Sequence, residues 1–162
     1  MEIALSQKEQ LIELTAIYNF YVKNTTATFN LHELSINQFE KDFFRGGSLS
    51  GTYTITKREK IIGFCCISRF NPKEAYDRSA YVSIYLKEDS TGKGYGARIL
   101  TFLEKTAYEK GIKSLIALIC KENFMSASLF TKKGYRLAGE LKEAGEKFGR
   151  LLDVVYYQKN IK

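Results

Sequence analysis

Three glycines within five residues, Gly92, Gly94 and Gly96, form the segment of this sequence most suited to binding a ligand. They lie within residues 89–98 (DSTGKGYGAR), between an apolar run and an amphipathic segment. Glycine lets the backbone turn sharply and approach a ligand, and the free N–H groups at a helix start point at an anion. Lys93 adds positive charge. The loop predicts a phosphate or pyrophosphate cradle, with a ligand-free glycine turn as the alternative.

The spacing of the loop narrows the phosphate ligands that it suits. The pattern GxxxxGK[ST] is absent, so a nucleoside triphosphatase is not expected. Gly92, Gly94 and Ala97 satisfy the dinucleotide pattern GxGxxG/A. That pattern should open a series of βαβ units with an acidic residue about 20 positions on. A single such unit follows here, and residues 112–120 contain no acid, which disfavours a dinucleotide site.

Helices are predicted on both sides of the glycine loop. Ser6 and Glu9 suggest a capping box that opens a helix over about 7–23, and Ser35 opens a second helix that ends at Gly46-Gly47. A third helix runs from the loop to about Lys110. A fourth, short helix runs from Asn123 to Gly134, and Gly111 ends the third.

Alternating or continuously apolar runs predict six strands, at residues 52–57, 61–67, 81–86, 115–120, 135–141 and 151–158. The last two are joined by a loop around residues 143–150. The order α-α-β-β-β-α-β-α-β-β predicts one α+β (mixed α/β) domain over residues 1–162. We expect a mixed, mostly antiparallel sheet with a central parallel β-α-β unit at 81–120 and helices on both faces.

Composition excludes several classes of protein. The chain has 162 residues, 44% hydrophobic and 14% aromatic, which is typical of a folded domain rather than a disordered segment. No apolar run reaches the roughly 20 residues that span a bilayer, and the first residues do not resemble a secretory signal. Three cysteines in apolar runs without CxxC spacing favour buried thiols in a reducing compartment. One histidine, His32, cannot build a multi-histidine site, so no metal is expected.

The charge balance bears on the partners of the chain. Twenty-five basic and 18 acidic residues give a net charge of +7. Such a surface suits an anionic partner such as nucleic acid, a membrane surface or a phosphorylated cofactor, or is simply a solvated basic surface. No helix-turn-helix, zinc finger or aromatic strand pair supports a nucleic-acid-binding domain, so no nucleic acid is expected.

Two motifs resemble those of the GNAT (Gcn5-related) N-acetyltransferase superfamily. The strand, GxGxG loop and helix resemble its motif A, which holds the pyrophosphate of acetyl-CoA. Residues 123–126 (NFMS), followed by Gly134 and Tyr135, resemble motif B. Residues 17–29 and 141–155 are similar to the phosphinothricin/methionine-sulfone N-acetyltransferase branch. Together these segments extend over about residues 11–158.

The resemblance implies an enzyme that moves an acetyl group from acetyl-CoA to the primary amine of a small amino acid or analogue. It further implies a cytoplasmic homodimer built as a single GNAT-like domain. Two alternatives stay open: a coenzyme A-binding regulatory module with weakened catalysis, and an acetyltransferase for protein or peptide amines.

The resemblance also assigns coenzyme-binding positions. Strand residues bond the pantetheine, the loop holds the pyrophosphate, Asn123 bonds the pantetheine or sets a helix start, and Lys132 lies near the phosphates. Thr91 stands where motif A usually has arginine or glutamine. The implied set is Ile84, Tyr85, Leu86, Thr91, Gly92, Lys93, Gly94, Tyr95, Gly96, Ala97, Asn123 and Lys132.

The residues for proton transfer depart from the family pattern. Tyr81 stands where this branch commonly has glutamate, and Phe130 stands where tyrosine or histidine is usual. A tyrosine has an ordinary pKa of about 10, so Tyr81 is a poor base that can at most relay a proton through water. Other carboxylates that could reach the cleft belong to Glu33, Glu74, Glu88, Asp89 and Glu122.

The acceptor pocket is assigned from the two branch-specific segments. The loop of residues 25–29 would line its wall, with hydroxyls such as that of Thr28 meeting a polar ligand and Phe29 an apolar part, or else form a capped loop with a buried ring. Lys147 and Arg150 would bind an acceptor carboxylate or stabilise a dimer. Asp153, within an apolar strand, predicts a buried charged partner such as Arg150.

Overall fold

Strands alternate along the chain with helices whose apolar residues recur at helical spacing. The computed structural model describes residues 1–44 and 47–162. The strands are β1 Glu2–Leu5, β2 Gly51–Lys57, β3 Lys60–Arg69, β4 Ser79–Leu86, β5 Ser114–Cys120, β6 Arg136–Lys147 and β7 Arg150–Asn160. The helices are α1 Leu11–Asn24, α2 Ile36–Phe44, α3 Tyr95–Glu109 and α4 Phe124–Lys132. The predicted end of the second helix, at Gly46-Gly47, lies partly outside the described residues.

The strands form one sheet in the order β1-β2-β3-β4-β5-β7-β6. Neighbouring strands pair antiparallel except β4 and β5, which are parallel and are connected through α3. This arrangement confirms the predicted mixed, mostly antiparallel sheet and its central β-α-β unit. No helix in the described residues is long and apolar enough to cross a membrane.

Helices cover both faces of the sheet, as predicted. Phe64 and Cys65 are neighbours on β3, so their side chains point to opposite faces. Phe64 is buried in a cluster with residues of α1 and α2, whereas Cys65 is buried with residues of α3, including Leu100 and Leu103. The two clusters enclose the centre of the sheet and hold β3 and β4 in place.

The N-terminus differs from the prediction. Strand β1 was not predicted, because a four-residue run has little pattern of its own and is fixed by pairing with β2. The capping box of Ser6 and Glu9 was wrong. Ser6 Oγ lies 2.8 Å from Thr54 Oγ1, and the reciprocal bonds join Gln7 and Gln10 instead. Helix α1 therefore begins at Leu11, after a short 3₁₀ turn.

The C-terminal hairpin is longer than predicted. Residues 143–147 belong to β6, and 145–147 pair with β7, so the expected loop shrinks to a turn at Phe148 and Gly149, both with positive φ. The register shifts between Leu141 and Gly145, where Glu143 also has a positive φ of 51°. A bulge of this kind bends the strand and increases its twist.

Candidate active site

Strands β4 and β5 separate after a short parallel contact. They pair at Ser79–Ser114, Ala80–Leu115 and Tyr81–Ile116, and the pairing then stops. Beyond this point β4 stays bonded to β3 and β5 stays bonded to β7. The edge of β4 over residues 82–86 therefore faces an opening and is free to pair with an extended ligand.

A cavity of about 770 Å³ fills the opening. Its walls come from the facing parts of β4 and β5, the glycine loop, α4 and the end of α1. Eleven of the predicted coenzyme residues line it, namely Ile84, Tyr85, Leu86, Thr91, Gly92, Gly94, Tyr95, Gly96, Ala97, Asn123 and Lys132. Lys93 is exposed and lies between two lining glycines.

The glycine loop bends through backbone conformations that favour glycine. Gly92 and Gly94 have φ values of 69° and 77°, and Gly94 directly precedes the first residue of α3. Gly96 serves a different purpose, because a Cβ there would lie 2.8 Å from Leu129 Cδ2 on α4. The loop thus places the free N–H groups of α3 at the cavity wall, where they can bind an anion.

Positive charge gathers beside the loop. Lys57 Nζ donates a hydrogen bond to the hydroxyl of Tyr95, and this bond lowers the pKa of the phenol. Lys93 and Arg98 lower it further by their charge. Lys57, Lys93 and Arg98 thus place positive charge beside the loop, which suits the phosphates of a coenzyme.

Asn123 marks the start of α4 at the end of β5. Its side-chain oxygen accepts a hydrogen bond from Ser126 N at 3.1 Å, which caps the helix. This geometry matches the helix-start alternative predicted for Asn123. Lys132 lies at the other end of α4.

The end of α1 and the following loop form the opposite wall, through Phe20, Tyr21, Asn24, Thr25, Thr26 and Ala27. Sequence reasoning did not assign Tyr21 to the site, whereas the loop of residues 25–29 was expected to wall the acceptor pocket. The Tyr21 hydroxyl donates to Leu86 O at 2.5 Å, and burial raises the pKa of this phenol. Thr25, Thr26 and Ala27 of that loop line the cavity.

Thr28 and Lys147 lie together behind this wall. Both are buried, and Lys147 Nζ donates to Thr28 O at 2.8 Å. The Thr28 hydroxyl lies 2.6 Å from the hydroxyl of Tyr18. Burial lowers the pKa of the Lys147 ammonium. Phe29 packs close to Gly145, where a Cβ would lie 2.5 Å from the ring.

Arg150 forms an ion pair with Glu122, a residue that lines the cavity. The guanidinium donates to both carboxylate oxygens, at 3.1 and 3.0 Å, and Thr26 Oγ1 donates to the same group at 2.9 Å. The predicted Asp153–Arg150 pair was wrong, since residues three apart on a strand point to opposite faces. Asp153 accepts instead from Lys142 Nζ at 3.2 Å.

Few groups at the cavity can move protons near neutral pH. Tyr81 is not among the lining residues; its ring packs against Phe70, and burial raises the pKa of its hydroxyl. Phe130 lines the cavity as a buried ring. Of the five carboxylates considered from the sequence, the structure places Glu88 and Glu122 on the cavity wall. The described residues hold no cluster of histidine, cysteine and acidic side chains that fits a metal.

The sequence profile of the acetyltransferase (GNAT) domain matches residues 3–156, so the chain belongs to this family. It is 28% identical over 151 residues to the L-methionine sulfoximine/L-methionine sulfone acetyltransferase of Pseudomonas paraeruginosa, covering 91% of this chain and 87% of that protein. It is also 28% identical to the phosphinothricin N-acetyltransferase of Streptomyces coelicolor, covering 94% and 91%.

A crystal structure of a phosphinothricin acetyltransferase from Sinorhizobium meliloti in complex with acetyl-CoA superimposes with a TM-score of 0.93. The two chains are 28% identical, and the match covers 99% of this chain and 88% of the other. This chain is accordingly an acetyl-CoA-dependent N-acetyltransferase by family. Its own residues fit that cosubstrate, since a free strand edge, a glycine loop with free N–H groups and positive charge meet in one cavity.

Proposed function

We propose that this chain acetylates the primary amine of a small amino acid or close analogue, of the methionine sulfone and phosphinothricin type. The observation that carries the proposal is the separation of β4 from β5 beside the glycine loop. A cavity of about 770 Å³ is large enough for a thioester arm and a small acceptor together. The names of the two curated relatives support the substrate class.

The cosubstrate is proposed to lie along the free edge of β4. Main-chain groups of residues 84–86 bond the pantetheine, and residues 91–97 hold the pyrophosphate. Lys132 and Lys93 add charge near the phosphates, and Asn123 shapes the wall by capping α4. Thr91 supplies a hydroxyl where the family has a longer side chain, so backbone N–H groups do most of the binding.

The acceptor is proposed to enter between the loop after α1 and the β6–β7 hairpin. Phe29 packs against Gly145 of the hairpin, and Arg150 is paired with the cavity-wall residue Glu122. The buried Thr28–Lys147 contact holds the loop against β6. Thr28 and Lys147 then act by fixing the shape of the pocket.

Transfer forms a bond between the acceptor nitrogen and the acetyl carbonyl carbon, and breaks the C–S bond of the thioester. The nitrogen gives up a proton, and the departing thiolate takes one up. Main-chain N–H groups at the free edge of β4 can stabilise negative charge that develops on the carbonyl oxygen. Phe130 offers no proton to the thiolate, so the proton comes from water.

Proton removal from the acceptor is the step for which this cavity supplies least. The raised pKa of Tyr81 keeps its hydroxyl protonated near neutrality, which limits it to a relay through water. Arg150 and Thr26 lower the pKa of Glu122, so its carboxylate is a weak base. The reaction therefore depends on an amine that arrives in its neutral form.

We also propose that residues 1–162 form one domain that works as a cytoplasmic homodimer on small molecules, without nucleic acid. Three buried free cysteines suit a reducing compartment. Exposed apolar side chains at the hairpin, Leu141, Phe148 and Leu151, suit a contact between subunits. Analytical ultracentrifugation tests the dimer, and Leu151→Lys should shift it toward monomer.

A second candidate is a coenzyme-binding module without turnover, favoured by the position of Tyr81 off the cavity and by Phe130. Thiol release from acetyl-CoA separates the two functions. The acceptors are methionine sulfone, phosphinothricin, free amino acids and a short peptide, each with a control lacking protein. Release with a small amine supports the proposal. Binding of acetyl-CoA without release supports the module, and absence of binding contradicts both.

A further inference from the structure

The Glu122–Arg150 pair joins three separate segments at the cavity wall. Arg150 begins β7, Glu122 lies between β5 and α4, and Thr26 belongs to the loop after α1. Both oxygens of one carboxylate are engaged, Oε2 by Arg150 Nη1 at 3.1 Å and Oε1 by Arg150 Nη2 at 3.0 Å. Thr26 Oγ1 also donates to Oε1, at 2.9 Å. The guanidinium of Arg150 thus already binds one carboxylate in a bidentate manner, and that carboxylate, of Glu122, lines the cavity.

This pair is poorly suited to hold the fold together. The side chains of Arg150 and Glu122 are 56% and 38% exposed. Water competes for both groups and salt screens their attraction, so such pairs add little stability. An incoming carboxylate can therefore replace Glu122 at small cost, because a planar guanidinium binds any carboxylate with the same paired geometry.

The lysines near Arg150 have other hydrogen-bond or ion-pair partners. Lys121 Nζ lies 2.7 Å from Glu140 Oε1, and Lys142 lies near both Glu140 and Asp153. Lys147 is buried against a main-chain carbonyl. Arg150 differs from these cations because its partner, Glu122, lines the cavity.

We propose that Glu122 occupies, when no acceptor is bound, the position on the Arg150 guanidinium that the free carboxylate of an amino-acid acceptor takes on binding. This inference rests on the proposed function and adds a role for Glu122 to it, since an acceptor carboxylate must displace Glu122 from Arg150. The Thr26 hydroxyl, released with Glu122, becomes a second donor to the arriving carboxylate.

The test compares two ligands that differ by the carboxylate alone. Methionine sulfone and 3-(methylsulfonyl)propylamine are titrated by calorimetry into the protein saturated with coenzyme A. We expect Glu122→Gln to tighten methionine sulfone binding by about two- to fivefold, since it removes a competing surface ion pair. Arg150→Gln should weaken the same binding by about two- to fivefold, the range expected for losing a solvent-exposed ion pair. Neither variant should change binding of the amine.

Two further variants serve as controls for this test. Glu140→Gln removes a carboxylate from a nearby ion pair without touching Arg150, and should leave both affinities unchanged. Arg150→Lys keeps the charge without the paired geometry, so it should restore part of the affinity. It also serves as the reference if Arg150→Gln fails to fold, as judged by circular dichroism.

The inference is overturned if wild-type protein does not bind methionine sulfone, or if Arg150 variants weaken both ligands equally. An unchanged or weaker affinity for methionine sulfone in Glu122→Gln also overturns it. Calorimetry needs no turnover, so absence of thiol release would count against the proposed function alone.

Discussion

The hydroxyl of Tyr21 donates a hydrogen bond of 2.5 Å to the main-chain carbonyl of Leu86. Tyr21 lies near the end of α1, and Leu86 is the last residue of β4. The Tyr21 ring also meets the ring of Tyr85 edge-on, with centroids 5.4 Å apart. The helix that leads into the acceptor loop is therefore fixed directly to the strand whose free edge faces the cavity.

Tyr21→Phe removes this hydrogen bond and keeps the ring. We expect the free energy of unfolding to fall by about 1 kcal/mol, the usual net value of such a bond. The KM for acetyl-CoA should rise severalfold, because the end of β4 is less well fixed. Urea denaturation and steady-state kinetics measure the two effects. Tyr76→Phe, at a tyrosine that is 43% exposed, is the matched control and should change neither.

Gly94→Ala introduces a side chain where φ is 77°, directly before α3. A left-handed conformation costs a non-glycine residue about 1–2 kcal/mol, and relaxing it moves the N–H groups at the helix start. We expect lower stability and a higher KM for acetyl-CoA, with the KM for the acceptor little changed. Gly139→Ala, on β6 with nothing within 4 Å of the new Cβ, is the control. Equal effects of both variants would contradict the role of the loop.

The pH dependence of turnover follows from the groups at the cavity. The pKa of Tyr81 is raised and that of Glu122 is lowered, so neither is an efficient base near neutrality. We expect kcat/KM for the amine to climb steadily from about pH 6 to about pH 9, as more acceptor loses its proton. Initial rates across this range check the prediction. A plateau that begins below about pH 7 would instead identify a base of low pKa.

The free energy of unfolding should depend on pH through Lys147. Burial lowers its pKa below the ordinary value of 10.5, so the folded chain loses this proton before the unfolded chain does. Between the folded pKa and 10.5 the unfolded chain binds more protons, and stability rises with pH. The free energy of unfolding of wild type minus that of Lys147→Met should therefore increase as the pH approaches 10.5. Urea denaturation of both chains measures this difference, and a constant or falling difference would show that Lys147 is not perturbed.

The sequence predicted the parts of the fold that depend on local pattern. The helix after the glycine loop and its end at Gly111, with φ of 83°, follow from apolar spacing and from a conformation that glycine favours. Strand β1 and the second half of β6 could not be predicted in the same way. Their residues are short or strongly charged, and pairing with β2 and β7 fixes their conformation.

The same difference between local pattern and long-range contact separates the two sides of the candidate site. On the coenzyme side, the glycine loop is a continuous motif whose spacing predicted an anion site, and the resemblance to the family implied the remaining positions. The acceptor side joins residues distant in sequence, such as Thr26, Glu122 and Arg150, and no local pattern connects them. Ser6 shows the same limit, because a distant hydroxyl on Thr54 competes successfully for its side chain.

Within the described part of the chain, the parallel pairing of β4 with β5 consists of three residue pairs. The sheet therefore consists of two parts, β1–β4 and β5–β7, that are joined by a short parallel contact. A ligand that pairs with the open edge of β4 adds contacts between these two parts. Loading with acetyl-CoA should stiffen the domain as well as supply its acetyl group, so its resistance to heat and proteolysis would follow the cellular supply of the cosubstrate.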